Sequence, residues 1–293
     1  MTRTVVTSGA GGGGATSSPS TGNWASGTFG TGLIRIHGSS RATYTFTVPS
    51  GISSVRVRVW GAGGGGCSGS ADAGGSGGGF AIGEFAVTSG TSYAITVGTG
   101  GEINNSGGTS SFGSLISATG GSGGNNSSFR EGGLGVGGYA NYYGGGTSNT
   151  YCGGGGAASL FGHGGDGVAS VSSNNTNSYG KPSGGAGGGL GTSGGVSSSQ
   201  VVGNIGGLSG TWMKFSDYDG SSANSIRAVS NLAALDMLGT GVGGASESRH
   251  LAFGSNGGGG GYGSSGGWPG GGGGNYSANK FGLGADGCVI VEY

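Results

Sequence analysis

Hydrophobic and polar residues alternate in two stretches in the first quarter of the chain. Tyr44, Phe46 and Val48 alternate with threonines, and in residues 55–60 valines alternate with arginines. Successive side chains of a strand point to opposite faces, so this period of two predicts strands with one buried face each. The Pro-Ser-Gly sequence between them has the composition of a turn. Residues 33–37 have the same strand-like pattern.

Three further stretches predict strands. Residues 80–87 and 93–97 are separated by a Thr-Ser-Gly turn and predict a hairpin. Residues 288–291 form a continuous apolar run, which is typical of a central strand covered on both faces. Because strands occur near both ends of the sequence, we expect the two ends to pack together in one small β-sandwich.

Between these strands, in residues 61–79 and 100–285, glycine runs alternate with aromatic, serine and asparagine clusters. A flexible Gly-Ser linker is one interpretation, but linkers lack the aromatic and aliphatic residues that recur here. The favoured interpretation is a bundle of polyglycine-II-like segments with the threefold geometry of polyproline II. Such segments have no internal hydrogen bonds, so buried ones must bond to neighbours at distances that only glycine permits.

One stretch has helical spacing. Ile226, Val229 and Leu232 recur at intervals of three, and Gly239 follows the stretch as a suitable cap. We therefore predict a mainly β fold, consisting of the sandwich, the glycine-rich bundle and one short helix over residues 224–238.

The composition excludes several classes of protein. Of the 293 residues, 85 are glycine and 8% are charged, with 11 basic and 11 acidic residues. The glycine runs violate the three-residue period of collagen, and the zero net charge with recurrent valines is unlike intrinsic disorder. Nucleic-acid binding requires clustered Lys and Arg, and we expect none here.

Localisation and cysteine use are also informative. No run of 18 apolar residues predicts a membrane span, and the first thirty residues lack the apolar core of a secretory signal. Cys67, Cys152 and Cys288 include no C-x-x-C pair, so we expect buried thiols and no disulfide framework or zinc site. The sequence therefore predicts synthesis in the cytoplasm without a signal peptide and without membrane insertion.

Motifs for catalysis and metal binding are weak. Residues 263–267 match the G-x-S-x-G pattern, but such matches arise by chance in a chain so rich in glycine and serine. His37, His163 and His250 lack metal-ligand spacing, and His37 and His163 are expected at turns or on the surface. Residues 217–220 match a calcium loop only in part. We predict that the protein is not an enzyme and has no cofactor and no metal.

Aromatic residues cluster within the polar, glycine-rich part. In one interpretation the rings cap glycine segments and shield the bundle. In the other they form a recognition surface, because Tyr, Ser, Gly and Asn dominate adaptable binding loops, where rings stack on sugars or contact protein loops. The candidate residues for this recognition surface are Phe129, Tyr139, Tyr142, Tyr143, Tyr151, Tyr179, Trp212, Tyr218, Trp268 and Tyr276.

A series of motifs in a specific order resembles the glycine-rich domain of bacteriophage tail fibres and adhesins. The motifs are TFTVPSGI at 45–52, VRVRVWGAGGGG at 55–66, GGGF at 77–80, YAITVG at 93–98, GTSSFG at 108–113, ATGG at 118–121 and GLGADGCVIVEY at 282–293. The similarity covers residues 43–293, which we interpret as one adhesin domain. Residues 1–42 are interpreted as an attachment or oligomerisation segment.

The resemblance implies a receptor-binding protein in the virion, at the tip of a tail fibre. Its partners would be a bacterial surface receptor (a pilus, an outer-membrane protein or a glycan) and other tail or baseplate proteins, and it would form a homotrimer. In similar adhesins, loops at the end of a polyglycine-II-like bundle contact the host. In this chain the corresponding inserts are 122–131, 139–152, 169–183, 210–222 and 262–281.

Two other functions remain open at this stage. A purely structural glycine-rich protein of a virion or cell surface would use the inserts as end-caps without a ligand. A depolymerase tailspike would cleave polysaccharide with a pair of carboxylates, for which the chain has 11 acidic residues.

Overall fold

The computed structural model describes residues 33–37, 43–68, 73–124, 130–147, 152–167, 185, 257–261, 263–277 and 280–293. Within these ranges the chain is mainly β, as predicted, and forms twelve strands. They are β1 (Leu33–His37), β2 (Thr43–Thr47), β3 (Ser54–Trp60), β4 (Phe80–Ala86), β5 (Ser92–Thr96), β6 (Ser110–Phe112), β7 (Ile116–Ala118), β8 (Gly135–Val136), β9 (Ala140–Tyr142), β10 (Asn275–Ser277), β11 (Lys280–Phe281) and β12 (Cys288–Glu292). The helix predicted over residues 224–238 lies outside the described residues.

Ten of these strands form two antiparallel sheets. The first has the order β1-β12-β3-β4-β9 and the second the order β2-β5-β6-β7-β8, while β10 and β11 pair separately. Strand β12 lies between β1 and β3 and pairs with both along its whole length. The predicted sandwich of strands from both ends of the sequence is therefore confirmed, and β1, which precedes residue 43, is part of it.

The sandwich interior is filled by one face of each sheet. Val55, Val57 and Val59 of β3 are fully buried, together with residues of the second sheet such as Ile95 and Phe112. This is the face that the alternating pattern of β3 predicted. Packing of the two apolar faces against each other removes them from water and is the main source of stability of the sandwich.

The outer face of the first sheet is also covered. Trp60, Phe80, Ile82, Ala158, Cys288 and Ile290 form a second buried group, which we call the outer cluster. Strand β12 thus contributes Val289 and Val291 to the interior and Cys288 and Ile290 to the outer cluster, which confirms a central strand covered on both faces. Because this side is covered, Arg58 of β3 is only 6% exposed, although the alternation alone gave no sign of its burial.

The hairpin predicted over residues 80–97 is wrong. Strand β4 belongs to the first sheet and β5 to the second, so the chain crosses between sheets at the Thr-Ser-Gly turn. This turn is bonded to the one that follows β2, since Val48 N–H donates to Thr91 O and Gly90 N–H donates to Val48 O. The alternation of apolar and polar residues predicts that each strand buries one face, but it does not predict in which of the two sheets that face is buried.

Tyr293 packs its ring into the sandwich core, 5.4 Å from the centre of the Phe46 ring. Its buried hydroxyl has no hydrogen-bond partner among the described residues, and burial raises the pKa of Tyr293 to about 12. The neutral form is therefore favoured by folding.

Tyr293→Phe is expected to stabilise the protein by about 1 kcal/mol at neutral pH, because it removes a buried, unsatisfied hydroxyl. Since the folded-state pKa is raised from 10.0 to about 12, the wild type loses stability as the pH rises through that interval, whereas the Phe variant lacks this contribution. Urea unfolding of both proteins at pH 8 and pH 11 measures the difference. Equal losses between the two pH values would contradict a raised pKa at this site.

Glycine-rich segments form a bundle beside the sandwich. In residues 61–66, Gly61 and Gly64 donate their N–H groups to one neighbouring segment, at Gly79 and Ser76. Ala62 and Gly65 donate to a second neighbour, and Gly63 and Gly66 to a third, all at 2.8–3.1 Å. Residues three apart therefore face the same neighbour, which is the threefold geometry of a polyglycine-II-like segment. This confirms the bundle interpretation for the described residues.

The bundle has a hexagonal arrangement around its inner segments. The carbonyl groups of residues 62–66 accept from three further segments, around Gly101, Gly121 and Gly273. The inner segment thus has neighbours on six sides, three through its N–H groups and three through its C=O groups. Backbone groups buried in this way are satisfied by other backbones instead of by water.

Close backbone contact explains why these positions are glycine. A Cβ atom at Gly63 would overlap the carbonyl oxygen of Gly271, and one at Gly75 would overlap that of Gly64, well inside the 3.0 Å that real Cβ atoms require. By contrast, Ala62 and Ser76 are fully buried in the same segments. The bundle therefore accepts a small side chain only at particular positions.

The two ends of the bundle differ. Segment 61–66 continues from β3 and segment 73–79 leads into β4, so one end abuts the sandwich, and we call it the proximal end. At the opposite, distal end the same two segments meet where Cys67 N–H donates to Ala73 O. This polarity determines where each loop of the chain lies.

Candidate functional site

Five of the ten candidate receptor-binding residues fall within the described residues. Tyr139, Tyr142, Tyr143 and Trp268 are near the sandwich, and Tyr276 lies in β10. The remaining candidates lie outside the described residues and are Phe129, Tyr151, Tyr179, Trp212 and Tyr218.

Connections of the bundle gather at its distal end. Thr147 donates its hydroxyl to Gly74 O, and its backbone pairs with Arg130. Asn275 N–H donates to Cys152 O, and Gly66 N–H donates to Gly282 O. Sequence inserts 125–129, 148–151 and 278–279 therefore begin and end at this one end of the bundle.

A described part of the distal end shows how its loops are held. Asn104 has a left-handed backbone with φ of 64°, a conformation that Asn adopts more readily than most residues. Its side chain accepts from Ser68 N–H at 3.1 Å and donates to Ser68 Oγ at 3.2 Å. Neither residue was predicted from the sequence, in which the pair of asparagines at 104–105 is the signal for a turn with a left-handed residue.

Aromatic residues also gather at the proximal end. Tyr143 stacks on His163 with the ring centres 5.5 Å apart, and Tyr142 meets the same imidazole edge-on at 5.3 Å. Tyr139 is 66% exposed, Tyr143 51% and Phe161 48%. We call Tyr139, Tyr142, Tyr143, Phe161 and His163 the proximal aromatic group.

The proximal aromatic group is fixed by hydrogen bonds to the backbone. Asn141 accepts from Gly138 N–H at 3.1 Å and donates to Gly138 O at 2.7 Å, which closes the turn that carries Tyr139. His163 Nδ1 accepts from Tyr143 N–H at 3.0 Å. His163 was expected only as a turn or surface residue, and its partners, twenty residues away in sequence, left no local signal.

Two of the candidate rings also contribute to packing. Trp268 is half-buried against the outer cluster, and its Nε1 donates to Gly287 O at 3.2 Å. Tyr142 stacks on Phe80 with the ring centres 6.4 Å apart. These contacts fit the interpretation in which some rings shield the glycine segments and the sheet.

The described residues were compared with the requirements of a metal site and of a membrane-spanning helix. Within the ranges the structure describes, no three His, Cys, Asp or Glu residues are grouped so that they could hold a metal ion. The same ranges contain no helix of the length and apolarity needed to cross a membrane.

A family model described as a glycine-rich domain matches residues 37–293. No curated protein matches the chain.

Proposed function

This chain belongs to the glycine-rich domain family, and on that premise we propose that it is a receptor-binding protein of a bacteriophage tail fibre. In this proposal the protein is located in the virion and attaches the virion to the surface of a bacterial host. Aromatic and polar loops on the glycine-rich scaffold make the contact, and the activity is binding and not catalysis.

The observation that carries the proposal is the grouping of inserts at the distal end. The chain passes repeatedly through the bundle, and the flanks of several polar inserts, such as Arg130 and Thr147, lie together there. Each flank is fixed by backbone hydrogen bonds. Loops on such a scaffold can change in sequence without altering the bundle, which suits a surface that must match different receptors.

The scaffold also favours binding by many weak contacts. A rigid support reduces the ordering cost that each loop incurs on binding. We propose that the protein acts as a homotrimer joined to other tail or baseplate proteins. Several copies on one virion would raise the overall avidity about 10²–10⁴-fold over that of a single site.

The test uses labelled, folded protein on a panel of bacterial strains. We expect strong binding to a few strains and competition with phage adsorption. Phe129→Ser combined with Tyr151→Ser, two candidates from inserts whose flanks are distal, is expected to reduce binding to those strains at least about tenfold. Leu283→Ser serves as the control, at an exposed apolar residue outside these inserts, and thermal unfolding shows whether each variant is folded.

The outcomes distinguish the proposal from its alternatives. Undiminished binding by the distal double variant would contradict recognition through those inserts. Absence of binding to a strain that the phage infects would favour a structural role. Cleavage of a host polysaccharide by the purified protein would favour a depolymerase.

A further inference from the structure

We propose that the proximal aromatic group is a second binding site, which takes an uncharged sugar ring. This site lies at the sandwich end of the bundle, opposite the distal loops. It does not depend on the function proposed for those loops, and nothing in the distal end contributes to it.

Exposure of large apolar side chains is concentrated at this site. Five such residues are markedly exposed in the described part of the chain, and four of them lie in two neighbouring connections. They are Val136, Tyr139, Tyr143 and Phe161, whereas Leu283 belongs to another connection. Exposed apolar residues that lie together mark binding surfaces more often than apolar residues scattered singly over a surface do.

The rings are held in place before any ligand arrives. The two hydrogen bonds between Asn141 and Gly138 fix the turn below Tyr139. Tyr143 is joined to the neighbouring connection twice, through its N–H to His163 Nδ1 and through its carbonyl to Gly164 N–H at 2.8 Å. A ligand therefore meets a formed surface, and little ordering cost is incurred on binding.

The hydrogen bond to His163 determines what the imidazole can offer. Because Nδ1 accepts the Tyr143 N–H, the ring is neutral and its proton is on Nε2. His163 is exposed, so the group combines aromatic faces with an uncharged N–H donor. A sugar ring matches both, since its C–H face packs on the electron-rich face of a ring and its hydroxyl groups accept from the donor.

The electrostatics favour an uncharged ligand. Arg56 and Arg58 form ion pairs with Glu84 and Glu292 on the first sheet, and Arg130 lies at the distal end, where it pairs with Thr147. The acidic side chain on the same connection as His163 is that of Asp166, which accepts from Gly146 N–H at 2.6 Å. An acidic sugar would therefore find no cationic partner in the described part of this surface.

The size of the site favours a sugar over a protein. A stable protein interface covers about 800 Å² on each partner, whereas this group consists of a few rings on two short connections. One or two sugar rings are enough to cover this small group of aromatic rings.

The experiment is an NMR titration of the full chain with neutral methyl glycosides of glucose, galactose and N-acetylglucosamine, with sialic acid as the charged comparison. We expect saturable shifts of Tyr139, Tyr143 and His163 signals for at least one neutral sugar. Tyr143→Ser is expected to weaken binding at least about tenfold. Leu283→Ser is the matched control, a similarly exposed apolar residue on another connection, and should leave binding unchanged.

A second variant separates the donor from the stacking surface. His163→Asn keeps an acceptor for the Tyr143 N–H through its amide oxygen, but it removes the Nε2–H donor, so sugar binding is expected to weaken while the Tyr143 ring stays in place. No saturable shift with any neutral sugar, binding of sialic acid alone, or binding unaffected by Tyr143→Ser would each overturn the proposal. Failure here leaves strain binding through the distal loops intact, and the reverse also holds.

Discussion

Gly75→Ala is expected to lower the free energy of unfolding by about 4 kcal/mol or more, which is a large part of the total for a typical domain. The added Cβ would overlap the carbonyl oxygen of Gly64, and neither backbone can move without losing other bonds. Gly75 N–H donates to Gly273 O at 2.7 Å, and Gly75 O accepts from Gly155 N–H at 2.9 Å. Urea unfolding followed by circular dichroism measures the loss.

The neighbouring Ser76→Ala is the matched control for this substitution. Ser76 is fully buried in the same segment and already carries a Cβ. The change removes only the hydrogen bond from Ser76 Oγ to Arg130 O at 3.1 Å, so we expect a loss of about 1 kcal/mol. If the two variants lost equal stability, close backbone contact would not be the reason for glycine at position 75.

Glu292→Gln is expected to cost about 3 kcal/mol, because it removes the negative charge beside a buried arginine. Arg58 Nη2 lies 3.5 Å from Glu292 Oε2, and the two side chains are only 7% and 13% exposed. Arg56 Nη1 lies 3.8 Å from the same oxygen. The substitution is nearly isosteric, so the loss reports mainly the charge, and thermal unfolding at neutral pH measures it.

Glu84→Gln provides the comparison on the same face of the sheet. Glu84 makes a 2.9 Å ion pair with Arg56, but its side chain is 45% exposed, and exposed pairs contribute at most about 1 kcal/mol. A loss for Glu292→Gln no larger than that for Glu84→Gln would show that Arg58 does not depend on this carboxylate.

The strands could be predicted from the sequence because their signals are local. The alternation in residues 55–60 identified the buried face of β3, and the apolar run of residues 288–291 identified a strand covered on both sides. The crossing between β4 and β5 could not be predicted, since each stretch needs one apolar surface and both sheets provide it. Burial of Arg58 depends on the outer cluster, whose members come from distant parts of the chain.

The candidate site was predicted in composition but not in arrangement. The tyrosines near residue 140 and Tyr151 of a distal insert lie in similar sequences. They are placed at opposite ends of the bundle because the chain leaves the bundle in opposite directions at these two points. His163 became relevant only because the fold places it against Tyr142 and Tyr143. Such long-range contacts depend on how the glycine segments pair, and runs of identical residues carry no signal for their register.

The hexagonal bundle has a consequence for how stability varies with temperature. Its inner segments bury backbone amides and few apolar side chains, in contrast to the sandwich. Exposure of apolar surface raises the heat capacity of unfolding, whereas exposure of polar surface lowers it. The bundle therefore adds hydrogen bonds while contributing little to the heat-capacity change, and the stability curve of the whole protein is flatter than that of an ordinary domain of the same length.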